Sequence, residues 1–317
     1  MINWPIEGND FYVNLIDMTR SERIEALKSA KLFTMGFVYF IQHELGYKNL
    51  GLADDEYPTA DKLPFIPYHR ESRRIHGDIR FNYNYVKAPY SQPLPLYRTN
   101  IAVGDYPVDH HHTRYNGYEA LPRLYFHPIP SFGLPLGTII PKGYENILVA
   151  EKSISVSNII NGTTRLQPVV LQIGTAAGTL AALSLRDNLS THKVPVRDVQ
   201  NAILASGGYL QPYLDAEKGT EMFATLQRIG STGILKGVGR KVDWTNQFWL
   251  RADTTLLQSE LAGLQEVYPY CQPTMTHPKK AVTVSQALDL VRNIAVHEGI
   301  KLSLIHISEP TRLALIS

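Results

Sequence analysis

The sequence predicts a mixed α/β chain, locally α+β, on three observations. Residues 146–183 join a short apolar run, a polar loop and a helix-forming stretch with small residues on one face. Residues 64–141 are rich in proline, glycine and tyrosine, as ordered strands and loops are. Residues 22–45 and 190–301 carry apolar side chains at helical intervals. With 317 residues and 44% hydrophobic content, the chain can bury a sizeable core.

Taken in order, the first element is a helix over 22–45. Ile24, Leu27, Ala30, Phe33, Phe37 and Ile41 approximate its period, and Gly46 suits the left-handed position just past a helix end. Residues 147–150 form a four-residue apolar run of the kind that fills a central strand. Gly162 with Thr163 and Thr164 should break the chain, and Pro168 suits the first turn of the next helix, where its missing N–H costs nothing. Gly174, Ala177, Gly178 and Ala181 then recur at helical spacing, which should let that helix approach a sheet closely. From 190 to 301 the pattern is of small helices joined by turns.

A formal charge of +2 gives no electrostatic case for nucleic acid or for a charged membrane surface. No apolar run reads as long enough to span a membrane. The lone Cys271 excludes an intrachain disulfide framework and an all-cysteine iron–sulfur cluster. The 18 tyrosines suit a polar or sugar-like cleft without requiring one.

Two groups carry chemistry. Arg70, Arg73 and Arg74 surround Glu71 in PYHRESRRIHG; if extended, Glu71 and Arg73 share one face and Arg70 and Arg74 the other. Their guanidinium groups suit bidentate capture of an anion, or an Arg–Glu network that holds a loop. Asp105, Asp109, His110, His111 and His112 are the densest titratable cluster. In a strand His110 and His112 point together and His111 oppositely. A histidine beside a carboxylate is an acid/base pair near neutral pH, while His-x-His is also a partial metal set and the whole is also a plausible structural hydrogen-bonded loop.

The segments NWPIEGNDFYVNL, FIQHELGYKNLGLADDEYPT, PYHRESRRIHG, LYRTNIAVGDYPVDHHH, IPSFGLPLGTIIPKGYENILVAEKSISVSN and TRLQPVVLQIGTAAG occur in that order between residues 3 and about 248. Together they resemble the C-terminal part of FAD-dependent oxidoreductases with a glutathione-reductase-like fold, within a bacterial group often labelled xanthan lyase. The resemblance implies a partial FAD-binding domain, a mixed-sheet substrate domain and a C-terminal helical appendage. It also implies that the helix after Gln167 points its N-terminus at the pyrimidine edge of the flavin, where free N–H groups favour negative charge.

On the same resemblance, Arg165, Leu166 and Gln167 are flavin-proximal. Ser153, Ser155, Ser157 and Asn158 contact the ribityl chain, and Arg74 helps to hold the cofactor. His110 and His112, with Asp109, supply acid/base chemistry, and Arg73 anchors the substrate. Ala150-Glu151-Lys152 departs from the wider pattern of Ala, Gly, Arg, so a backbone contact there is not carried over. The expected activity is hydride transfer from a small or sugar-like substrate to FAD. The other class is a carbohydrate lyase or binding module, with Tyr68, His69 and Arg73 as its polar set.

The family opens with a GxGxxG turn, which this sequence lacks, and the run GSTGILKGVG has other spacing. Met1 thus reads as an internal start. The expected divisions are 1–145 for substrate-domain material with part of the flavin domain, 146–188 for the closing strand and helix, and 189–301 for the appendage. Residues 302–317 resemble translated sequencing adapter. The strings MFATLQRIGSTGILKGVG, WTNQFWLRADTTLLQSEL and TVSQALDLVRNIA resemble S-layer-homology repeats, which pair a helix, a Gly-Ile-x-x-Gly turn and a second helix. Envelope attachment or packing on the flavin domain are the two readings of that region.

Overall fold

A computed structural model describes residues 5–71, 73–111, 126–242, 245–273 and 276–302. His112 and the adapter-like residues from 303 onward lie outside the described residues. The chain forms two compact units, Met1–Arg73 with Asp109–Tyr125, and Arg74–Val108 with Phe126–Ser317.

The first unit is built on α1, Arg20–His43. Its start is fixed by Thr19, whose hydroxyl accepts from the Glu22 N–H at 3.4 Å while the Glu22 carboxylate accepts from the Thr19 N–H at 2.7 Å. This reciprocal cap satisfies two helix-end donors and starts the helix two residues earlier than the apolar period alone suggests. Past its end Gly46 adopts φ +77°, the left-handed turn expected of it. Of the periodic set only Ile41 is buried; Ile24 and Phe33 are exposed.

The second unit holds most of the apolar core. It opens with a short helix, α2 (Tyr83–Lys87), and then pairs β1 (Asn100–Gly104) with β2 (Phe132–Pro135), antiparallel with an irregularity between Asn100 and Ala102. After them come α3 (Asn158–Thr164) and α4 (Gln167–Asp187). Val169, Ile173, Ala176, Leu180 and Leu183 of α4 are buried at intervals of three and four, and the helix lies against β1 and α5 (Val196–Ala205). The rest is α6 (Met222–Thr232), a hairpin of β3 (Val238–Val242) and β4 (Thr245–Trp249), α7 (Ala262–Val267) and α8 (Val284–His297).

Three buried glutamines tie these pieces together. Gln227 accepts from the N–H groups of Leu210 and Gln211 at 2.8 and 2.7 Å and donates to the Gln211 carbonyl at 3.0 Å. Gln211 donates to the Tyr97 carbonyl, and Gln200 to the carbonyls of Arg98 and Asn100. Each amide satisfies loop backbone that would otherwise be buried unpaired.

Several expectations are corrected. Residues 147–150 are not a strand: Ile147 is 48% exposed, and the stretch makes one ladder-like bond, Val149 N–H to the Ile139 carbonyl. An apolar run becomes sheet only where a neighbouring strand supplies partners. The polar loop around Thr163 and Thr164 is helical and buried, as α3. The small-residue face of α4 does not meet the sheet, since side chains built on Gly174 or Gly178 would touch nothing within 4 Å. Among the described residues both sheets are two-stranded and antiparallel, not mixed. The 190–301 region is not all helical: after α6 the chain turns at Gly233 (φ +76°) into the β3–β4 hairpin rather than a second helix. One helix, α4, is long and apolar enough by length and composition alone to be a candidate membrane span, but five of its apolar side chains are buried within this fold, so it gives no clear span.

Candidate functional site

In the first unit, side chains far apart in sequence form a buried polar cluster. His111 directs Nδ1 at Asp10 Oδ2 (2.7 Å) and Nε2 at Asp109 Oδ1 (3.0 Å). The ring thus bridges two carboxylates. Arg70 Nη1 reaches the other oxygen of Asp10 at 2.8 Å, so that this carboxylate is shared by a histidine and an arginine. His110, 4% exposed, places Nδ1 2.7 Å from Glu71 Oε1. A carboxylate accepts there from a hydrogen on Nδ1.

The cluster redistributes the roles expected from strand alternation. His110 and Asp109 lie in it, but Asp109 serves His111, and Asp10, Glu71 and Arg70 are the partners that spacing did not reveal. Arg73 is outside it: 70% exposed, it pairs at 2.9 Å with Asp17, itself largely solvated. An exposed pair of this kind contributes at most about 1 kcal/mol. Tyr68 and His69 are exposed, with Tyr68 carrying the Arg70 guanidinium 5.6 Å from its ring centre. Asp105 belongs to the second unit, where it accepts from the Asn246 N–H.

In the second unit the segment 151–167 is threaded alongside 75–81. Ile75 N–H donates to the Ser153 carbonyl (2.9 Å), Phe81 N–H to the Ser155 carbonyl (3.0 Å), and Ser157 N–H to the Phe81 carbonyl (2.9 Å). Arg74, half-buried, thus enters this segment next to Ser153. Ser155 is buried and its N–H is taken by the Thr138 carbonyl. Ser157 caps α3, its hydroxyl accepting from Ile160 N–H at 3.3 Å, while Asn158 is exposed. Glu151 has φ +67°, the left-handed conformation that favours glycine. The residue type departs from the wider family pattern, but the backbone has the conformation that a glycine would take.

Arg165 ends α3 and Leu166 starts α4. Arg165 is buried, and its N–H closes α3 onto the Asn161 carbonyl at 3.1 Å. Leu166 has no polar side chain to cap α4, and the N–H groups of Val169 and Val170 turn back to its carbonyl. Gln167 and Pro168 are exposed. The opening turn of this 21-residue helix therefore has no side-chain cap from its N-cap residue and stands beside the buried Arg165.

The tyrosine-rich part of this unit encloses a small cavity of about 20 Å³, lined by Phe81, Tyr85, Tyr90, Tyr97, Phe132 and Phe248 among others. That is room for about one water, far below a ligand pocket of several hundred Å³. Tyr90, held off ionisation mainly by burial, is pushed up to about 12. Among the described residues no group of three or more His, Cys, Asp or Glu is arranged to hold a metal ion.

No curated protein and no solved structure matches the chain. The family model described as FAD dependent oxidoreductase matches residues 1–203, which take in the acid–histidine cluster, the 151–167 segment and all of α4. The chain belongs to the FAD-dependent oxidoreductase family, with FAD as its cofactor and flavin redox chemistry as its function.

Proposed function

We propose that the chain oxidises an alcohol or amine on a small, sugar-like substrate, with the α3–α4 junction as its contact to the flavin. The junction carries the reading: an uncapped helix start and a buried arginine make a fixed positive locus that needs no reorganisation when negative charge arrives. When bound, FAD accepts the hydride and carries the resulting negative charge at its N1–C2=O edge. Arg165 and the first turn of α4 would stabilise that edge, and the exposed Gln167 side chain would offer a further hydrogen bond. Asn158 and Ser153 would face the ribityl hydroxyls, and Arg74 would support the segment that carries them. Ser155 and Ser157 would hold the segment in shape, since the backbone of the first and the hydroxyl of the second are already used.

For the proton, His110 is the group we assign. Its Nδ1 faces Glu71, and its ring would take the proton of the substrate O–H or N–H while the carbon gives up its hydrogen with the electron pair, leaving C=O or C=N. Asp109, His111, Asp10 and Arg70 would hold the loop that carries it as a hydrogen-bonded support. His112 and Arg73 would assist in binding substrate.

The test is to mix the protein with FAD and follow the oxidised flavin bands on anaerobic addition of sugar alcohols, uronates and amino sugars. Bleaching by one class identifies the substrate. Arg165→Met should weaken FAD retention by about tenfold and make the bound flavin harder to reduce. His110→Ala should slow bleaching about 100-fold while leaving FAD retention unchanged. Absence of any retained flavin would refute the assignment of the α3–α4 junction and return the lyase or sugar-binding reading.

A further inference from the structure

The second unit holds two cations on one carboxylate and a third cation beside them. Arg98, in the 3-10 turn Leu96–Thr99, reaches Glu266 Oε2 with Nη2 at 3.2 Å, and Lys236 Nζ takes Glu266 Oε1 at 2.5 Å. Arg197 lies against Arg98, its Nη1 donating to the Arg98 carbonyl at 3.2 Å and to Gln200 Oε1, and its Nη2 to the Ser231 carbonyl. All of these acceptors are neutral. Partial burial and then the neighbouring Arg98 charge hold Arg197 below the ordinary arginine range, although the residue stays accessible to solvent. Arg197 also stands in the first turn of α5, the end where the helix dipole disfavours a cation.

A second, independent sign is that Arg98 Nε is buried and has no hydrogen-bond partner. A buried N–H of a charged group left unmade costs more than a neutral one, and such a group in a native fold calls for a water or an ion. The aromatic neighbours do not neutralise the site. Tyr97 and Tyr90 offer ring faces to Arg98 and Lys236 at 5.6 and 5.7 Å, which favours keeping the cations in place and leaves the charge excess intact.

We propose that Arg98, Arg197 and Lys236 form a binding site for a small oxyanion, a phosphoryl or carboxylate group, for which Glu266 is the built-in competitor. Guanidinium forks suit both chemistries. The site is separate from the α3–α4 junction and does not depend on the flavin reading.

The experiment is calorimetric titration of the whole protein with inorganic phosphate and, separately, succinate, against sodium chloride at matched ionic strength. Saturable uptake of either anion is expected, and which one binds identifies the source chemistry. Glu266→Gln should tighten binding about tenfold, Arg197→Gln should weaken it by a similar factor, and Arg292→Gln on the exposed face of α8 should leave it unchanged. Heats no different from chloride overturn the site, and so does an Arg292 variant that weakens binding as much as the Arg197 variant, because both would mean general screening. Circular dichroism of each variant separates lost binding from lost folding.

Discussion

The two units solve the same problem with opposite materials. In Met1–Arg73 with Asp109–Tyr125, the buried apolar side chains among the described residues are Ile41 and Leu63, while Asp10, Asp109, His110 and His111 occupy the interior as charged or polar groups. In the second unit, Ile101, Leu134, Ile139, Ile160, Ile173, Leu180 and Ile229 are sequestered, and the buried polar groups are mainly neutral amides and hydroxyls. An apolar core tolerates loss of one member in proportion to the cavity left. A charge cluster does not, because removing one partner strands the others in a low-dielectric setting. The first unit trades robustness for a preorganised set of proton-carrying groups.

The largest expected effect is therefore at Asp10. Asp10→Ala removes the carboxylate shared by Arg70 and His111 and should destabilise the first unit by about 3–5 kcal/mol. Hydrogen exchange should show protection lost along α1 with the second unit intact; a loss under 1 kcal/mol would erase the contrast between the units. Next, Leu180→Ala in α4 should cost about 2–5 kcal/mol, read by chemical denaturation, with hydrogen exchange failing in β1 and α4 together.

High pH should act on the second unit through its buried tyrosines. Burial raises Tyr90 to about 12 and Tyr213 well above the ordinary tyrosine value. Groups raised in this way stabilise the fold fully below the unfolded value near 10 and lose that stabilisation as pH climbs through the folded value. Tyr90 alone gives roughly 2 kcal/mol lost between about pH 10 and 12. Tyrosinate absorbance should lag behind that of free tyrosine and rise with unfolding. The smallest effect is at Glu151, where relief of a left-handed conformation by Glu151→Gly should be worth at most about 1 kcal/mol in favour of the variant. A destabilised variant would mean that the bond of Lys152 N–H to the Glu151 carboxylate matters more than the strain.

Local signals in the sequence carried well. The Pro168 start of α4 and the Gly46 turn past α1 were legible because each depends on residues within one or two turns. The β3–β4 hairpin was hidden, since a resemblance to helical repeats outweighed the alternation in VGRKVDWTNQFW. Arg165, Leu166 and Gln167, expected near the flavin from the resemblance, stand together at the junction of α3 and α4. The histidine cluster was found only in part. His111 meets Asp10 across 101 residues, a separation that no spacing rule spans, and a strand alternation set aside the very ring that two carboxylates enclose.

Gln172 on α4 donates to the Val103 carbonyl at 3.0 Å and accepts from the Val103 N–H at 2.9 Å. Its amide thus stands where a third strand would pair with β1. A bare strand edge is an invitation to self-association, and Gln172 with Gln200 helps to withdraw it. Solubility of this protein, as distinct from its stability, should then rest on that amide: Gln172→Leu would leave the core unchanged and offer β1 to a second copy.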